Sequence, residues 1–120
     1  MSNTRPDESN HRARNWMFTL NNWTKDDLRK LKVYAGEKCK YMVVGKEVGK
    51  TGIPHLQGYL QMDKATGGQT IKNQSKCLRM WMGIANSPAK ADKYCKKDGN
   101  WWTHGELDLN SSVKGGSPRS

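Results

Sequence analysis

From Asn15 to Leu20 the side chains alternate, with Trp16, Phe18 and Leu20 on one side and Asn15, Met17 and Thr19 on the other. A period of two over six residues points to a strand with one apolar face. The same alternation returns from Leu78 to Ala85, and Tyr41 to Val44 is rich in β-formers. A further strand is predicted from His55 to Met62, directly after Pro54, and a short last one at Trp101-Trp102-Thr103. Helix signals separate these strands. Thr24 with Asp27 makes a capping-box pattern, after which Leu28, Leu31 and Ala35 mark one helical face and Gly36 closes it. Ser87-Pro88 starts a second helix that runs to about Lys97, with Gly99 as its stop. Between Asp63 and Lys76 only Ile71 is a clear apolar anchor, so a helix there leans on tertiary contacts. The order β-α-β-β-(α)-β-α-β predicts the α+β class, a five-stranded antiparallel sheet of the split β-α-β kind with helices against one face.

Length leaves room for one domain in 120 residues, and a hydrophobic fraction of 34% is enough for a small core. Residues 1–13 read as a flexible basic arm, 14–106 as the folded body, and 107–120 as a flexible tail or linker where a longer protein would continue. No run approaches the ~20 apolar residues of a membrane span, and no apolar leader follows Met1, so no membrane partner is expected. Three cysteines, Cys39, Cys77 and Cys95, cannot all pair and lack zinc-knuckle spacing, so they are expected as free thiols in a reducing compartment. The decisive number is the net charge of +10, which favours a polyanion, nucleic acid before acidic membrane.

Three groups of residues carry chemistry. On the strand after Pro54, His55, Gln57 and also Gln61 share the face opposite Leu56, Leu60 and Met62, and that face is expected to be the open one. An imidazole beside an amide oxygen suits a hard divalent ion such as Mn²⁺ or Mg²⁺, and Glu47, on the neighbouring segment, is the carboxylate such a site wants. Taken alone, the spacing favours His55 as a surface histidine after a turn and Gln57 as merely solvated. On the last helix, Tyr94 and Lys97 are three residues apart and share a face, with Lys90 a turn earlier. A phenol becomes a useful nucleophile toward a phosphodiester only where positive charge lies near the phosphate. A tyrosine packed in the core and a solvated lysine would look the same on spacing alone. From Lys64 to Lys97 there are eight cationic residues, including Arg79, against the single acid Asp92. Trp81 lies among them, where its ring could stack on an unpaired base.

In order and spacing, Phe18-Thr19-Leu20-Asn21-Asn22, His55-Leu56-Gln57-Gly58 and Tyr94-Cys95-Lys96-Lys97 resemble the three rolling-circle motifs of replication-initiator (Rep) proteins of circular single-stranded DNA viruses, of the circovirus and cyclovirus kind. That family is similar to His-hydrophobic-His endonucleases with a five-stranded antiparallel sheet. The resemblance implies a nickase and joiner of a stem-loop origin, working on single-stranded DNA through a 5′-phosphotyrosine and initiating and terminating rolling-circle replication. It implies Tyr94 as nucleophile, Lys97 as the motif's lysine, and Glu47, His55 and Gln57 as ligands of Mn²⁺ or Mg²⁺. Asn21 and Asn22 of the first motif would position DNA, and Arg14, Lys64, Arg79, Trp81 and Lys90 are further expected DNA contacts. The second motif is His-Leu-Gln rather than the two-histidine form, and the Gly67-Gly68 pair falls where relatives begin a helix. There is no GxxxxGK[ST] phosphate-binding loop. The host nucleus and a monomeric domain are the expected setting. The competing reading is a non-catalytic single-strand-binding module, which an aromatic pair on the sheet would favour and the polar His55 and Gln57 disfavour.

Overall fold

The computed structural model describes residues 5–50 and 52–111. Its elements follow the expected order: β1 (Arg12–Asn21), α1 (Lys25–Lys38), β2 (Tyr41–Glu47), β3 (His55–Gly67), α2 (Gly68–Ser75), β4 (Trp81–Ile84), α3 (Pro88–Cys95) and β5 (Trp101–Gly105). The strands form one antiparallel sheet in the order β4-β1-β3-β2-β5, an α+β fold with β3 at its centre. None of the described helices is long and apolar enough to cross a membrane.

The alternation on β1 does what a period of two demands. Trp16, Phe18 and Leu20 enter the main core with Leu56 and Leu60 of β3, Met42 and Val44 of β2, and Leu28, Leu31 and Ala35 of α1. Burying side chains of this size contributes about 1.5–3 kcal/mol each. α1 begins at its capping box, where Thr24 accepts from the Asp27 amide and Asp27 accepts from that of Thr24. Trp102 packs against this core while Trp101 is exposed beneath the Lys96 ammonium, 4.5 Å from its ring centre.

Helices occupy both faces of the sheet, not one. α1 and α2 cover the main core; α3 sits on the other face, where Ala91 and Cys95 pack with Tyr41, Val43 and Tyr59. That face was expected to be open, yet His55, Gln57 and Gln61 are all buried on it. The reason is a close backbone approach: a Cβ on Gly45 would lie 2.1 Å from the Cys95 carbonyl oxygen, so α3 rests directly on β2. Other boundaries differ by local causes. Gly36 does not end α1, which runs to Lys38 and is capped by extended Cys39. α3 stops at Cys95, so Lys97 lies in the turn beyond it. β4 starts only at Trp81; Leu78 is exposed, because the chain there bends through a turn instead of pairing with β1. α2 does begin at the Gly67-Gly68 pair. Its N-cap Gly67 supplies no side chain, and the carbonyls of His11 and Ser9 accept from the Gly68 and Gln69 amides instead.

Both ends of the folded body are tied down where the sequence shows no periodicity. Residues 1–4 of the arm and 112–120 of the tail lie outside the described residues. Within the arm, Glu8 donates its amide to the Met82 carbonyl, its carboxylate accepts from the Ile84 amide, and Asp7 accepts from the Met82 amide and the Lys72 ammonium. These bonds satisfy the outer edge of β4, the kind of edge that otherwise invites foreign strands. At the other end, Leu107 packs on the α3 face and Asp108 bonds Gln61 and Lys40. Burial alone would raise the Asp7 carboxyl, but hydrogen bonds from Ser9, Lys72 and Met82 outweigh it and hold it at about 2, against 3.8 ordinarily. A carboxyl depressed in this way contributes stability that is complete above its unfolded value and fades as pH falls toward its folded one. Asp7→Asn should therefore lower stability at neutral pH and flatten its decline between 3.8 and about 2. Urea unfolding across that range measures this; a decline as steep as in the parent would show that Asp7 does not carry it.

Candidate active site

The α3 face of the sheet is polar along its central strand, and each buried polar group there has found a partner. At the far end, Tyr59 donates to the Asn15 side-chain oxygen Oδ1 at 2.7 Å, and Gln61 donates to the same Oδ1, to the Tyr59 hydroxyl and to the Asp108 backbone carbonyl. In the middle, Gln57 donates to the Phe18 carbonyl at 3.2 Å and its Oε1 accepts from the Thr19 hydroxyl at 3.2 Å. At the near end, antiparallel pairing puts Glu47 directly opposite His55. His55 Nε2 lies 3.0 Å from Glu47 Oε1, and the two residues are 3% and 6% exposed. The other carboxylate oxygen, Oε2, accepts from the Lys97 ammonium at 2.6 Å.

Lys97 links this cluster to α3. Its Nζ stands 3.8 Å from the centre of the Tyr94 ring, a cation-π distance, and 3.5 Å from the Tyr94 carbonyl oxygen. The helix that presents Tyr94 is short but well begun: Ser87 accepts from the Lys90 amide and Pro88 occupies the first turn. Its carboxyl end, with the partial negative charge of the helix dipole, gathers Lys93, Lys96 and Lys97. Next to Tyr94 the Cys95 thiol is pushed well up by burial and then by the Glu47 charge, both of which disfavour the thiolate.

Tyr94 is half-buried and lines an open groove of about 330 Å³ with Arg5, Met17, Ser87 and Lys90. Trp81 stands on the same face. Its ring lies flat over Gly83, where an added Cβ would come within 2.2 Å of it, and the Arg5 guanidinium sits 5.5 Å above the ring centre. The groove itself offers a phenol and two cations, Lys90 and an Arg5 that is also paired with Glu8 at 2.7 Å. This is positive charge of the kind a nucleotide strand's phosphates ask for.

A protein family described as "Putative viral replication protein" matches residues 13–98. The chain belongs to that family. Among the relatives of this viral replication family domain, the Replication-associated protein of Pigeon circovirus is 36% identical over 88 residues, covering 73% of this chain and 27% of the relative. That of Goose circovirus is 32% identical over 100 residues, covering 81% and 34%, and that of Beak and feather disease virus is 31% identical over 101 residues, covering 79% and 32%. The chain thus spans about a third or less of the length of these relatives.

Every site residue expected from the sequence lies inside the family span, but the fold gathers only some of them. Glu47, His55, Lys97 and Tyr94 converge, and Gln57 shares their face with its amide turned toward β1. Lys90 lines the Tyr94 groove, and Trp81, opposite Thr19 on the same face, stands outside its lining. Asn21 pairs with His55 across the sheet, and the Asn22 amide donates to the Pro54 carbonyl, so both stand at the sheet end beside the site. Arg79 does not face the groove; its guanidinium donates to the Asn21 carbonyl and to Asp27, bracing the turn into α1. Lys64 is nine residues beyond His55 along β3, about 30 Å at ~3.3 Å per residue. Arg14, at the bulge of β1, belongs to that same distant end. Sequence reasoning missed Thr19 as the partner of Gln57, and it gives Arg5 only as one cation of the basic arm that could touch a phosphate backbone. The alternation of β1 had already placed Thr19 on the site face, whereas no local signal says that the arm would bring Arg5 to the Tyr94 groove.

Carboxylate, imidazole and amide oxygen form a hard donor set of the kind a divalent cation takes, and such an ion would have to replace the His55 and Lys97 contacts that occupy the two Glu47 oxygens. Glu47 with Lys97 is a half-buried ion pair whose acid is inside and whose base is partly exposed. Removing the lysine leaves a buried carboxylate under-neutralised, which costs about 1–3 kcal/mol. Lys97→Met should lower stability by that order in chelator, and adding Glu47→Gln should recover part of the loss. Chemical denaturation of both single variants and the double variant measures the coupling; strictly additive losses would mean that the pair contributes nothing.

Proposed function

We propose that this domain nicks and rejoins single-stranded DNA at a viral replication origin, with Tyr94 as the nucleophile and a divalent metal held by Glu47, His55 and Gln57. The supporting observation is the convergence of three segments distant in sequence: the Glu47–His55 pair, Lys97 bonded to that pair, and Tyr94 beneath the Lys97 ammonium in an open groove. Relatives named Replication-associated proteins carry the same reading at the level of biological role.

In this reading Arg5, stacked on Trp81, and Lys90 hold the strand by its phosphates and bring one phosphodiester to Tyr94. The Tyr94 oxygen attacks phosphorus in line as the bond to the 3′-oxygen breaks; the phenol gives up its proton and the departing 3′-oxygen gains one. The product is a 5′-phosphotyrosine and a free 3′-hydroxyl. Lys97 neutralises charge that builds at the phosphate, and Gln57, fixed by Thr19 and the Phe18 carbonyl, keeps its amide oxygen oriented. When bound, Mn²⁺ or Mg²⁺ would supply Lewis-acid polarisation of the scissile phosphate. Since one ester replaces another, the step reverses when a 3′-hydroxyl returns, which rejoins the strand without ATP. The host nucleus is the proposed setting, on the family resemblance alone.

The test is a denaturing gel with an end-labelled single-stranded origin-loop oligonucleotide from a related circovirus, with Mn²⁺ or with excess chelator. A metal-dependent protein–DNA adduct, absent in Tyr94→Phe while binding persists, is the expected result. Adduct formation by Tyr94→Phe, or binding without cleavage across several related origin loops, would overturn the catalytic reading in favour of a single-strand-binding module. His55→Ala should lower the rate of adduct formation by about 10²-fold or more, the scale of losing an electrostatic contributor in the transition state. Single-turnover kinetics at fixed Mn²⁺ measure it, and a rate within a few-fold of the parent would remove His55 from the metal set.

A further inference from the structure

On the face of the sheet away from Tyr94 there is a second basic and aromatic groove that the reaction above does not use. Its cavity is about 420 Å³, floored by Trp23, Leu28 and Val33 and rimmed by Lys25, Lys32 and Lys46. Arg29 also lines it, bound to Asp26 at 2.5 Å, and among the described residues no carboxylate lines it. Lys25, Lys32 and Lys46 form no ion pair among the described residues. Two of them rest on indoles instead, Lys46 at 5.9 Å from the Trp23 ring centre and Lys32 at 5.4 Å from that of Trp102. Unpaired ammonium groups beside half-buried indoles are a charge pattern that a polyanion with flat faces completes.

The groove is also placed where one strand can reach both faces. Lys46 and Glu47 are consecutive on β2, so their side chains leave opposite sides of the sheet. Asn21 pairs with His55, the Asn22 amide holds the Pro54 carbonyl, and Asn22, at φ 53°, reverses the chain so that Trp23 follows round the sheet end from His55. A path from the Glu47–His55 cluster over this end meets Lys46 and Trp23 first.

We propose that the groove binds a second stretch of the same single-stranded DNA, beyond the segment at Tyr94, by stacking an unpaired base on Trp23 and neutralising phosphates with Lys25, Lys32 and Lys46. The inference rests on the single-strand reading above and adds a second, non-catalytic contact. An acidic protein segment would satisfy the charges but leave the indole face unused.

The test uses protein carrying Tyr94→Phe, so that no strand is cut, and two forms of the origin-loop oligonucleotide, a core of about 8 nucleotides and one extended on both sides to about 20, within and beyond the span of a compact single-strand site. Binding is read by fluorescence anisotropy, and the Trp23 indole N–H by ¹⁵N NMR, its signal assigned with Trp23→Phe. The extended strand should bind about tenfold more tightly than the core, and only it should shift the Trp23 signal. The pair Lys32→Glu and Lys46→Glu should abolish that gain and leave the Kd for the core within about twofold. A gain that survives the double substitution, or an unmoved Trp23 signal, overturns the inference and leaves the groove to a protein partner. Failure of the core strand itself to bind would be different: it overturns the single-strand reading, and this inference falls with it.

Discussion

The structure depends on β3 being buried on both faces while only one of those faces is apolar. Leu56, Leu60 and Met62 fill the main core, and His55, Gln57, Tyr59 and Gln61 stand on the other side beneath α3 and the C-terminal segment. A buried polar group that lacks a partner costs about 1–3 kcal/mol, so each of these four demands one. Their partners come from β1, β2 and the chain after β5: Asn15, Thr19, the Phe18 carbonyl, Glu47 and Asp108. The catalytic geometry proposed for this family domain is therefore held by the same bonds that make its central strand tolerable inside.

The electrostatics follow from that arrangement. In a chain with a net charge of +10, Glu47 is a rare inward carboxylate, and it is held by an imidazole on one oxygen and an ammonium on the other. Because Lys97 sits in the turn after α3, a single side chain connects the buried acid to the ring of Tyr94. Any movement of α3 on β2 would alter this connection, and Gly45 permits none of the slack that a side chain would introduce.

Local signals were legible where a short stretch could satisfy its own rules. The Thr24–Asp27 capping box, the alternation of β1, the Ser87-Pro88 start and the placement of Glu47 on the segment neighbouring His55 all match the structure. Legibility failed where long-range contacts overrode local preference. Gly36 sits inside the last turn of α1, which continues to Lys38 and is capped by Cys39, and Leu78 is exposed because β4 pairs with β1 only from Trp81. α2 has little intrinsic reason to be helical. It is held by Ile71 in the core, the Asp7–Lys72 pair and two backbone carbonyls from the arm. Arg79, counted with the basic half as a DNA contact, turned out to brace the turn behind Asn21.

By itself the sequence determined the strand and helix order, the polar face of the central strand, the excess of positive charge and the spacing of the three motifs. These are properties of neighbouring residues, and periodicity of two or 3.6 expresses them without reference to the remainder of the chain. Only the tertiary structure decided that α3 would close the face thought open, that Lys97 would reach Glu47, and that residues 5–9 would cover the β4 edge and lend Arg5 to the Tyr94 groove. Each of these joins groups tens of residues apart, and their meeting is set by which surfaces pack together, an outcome that no window of local sequence contains.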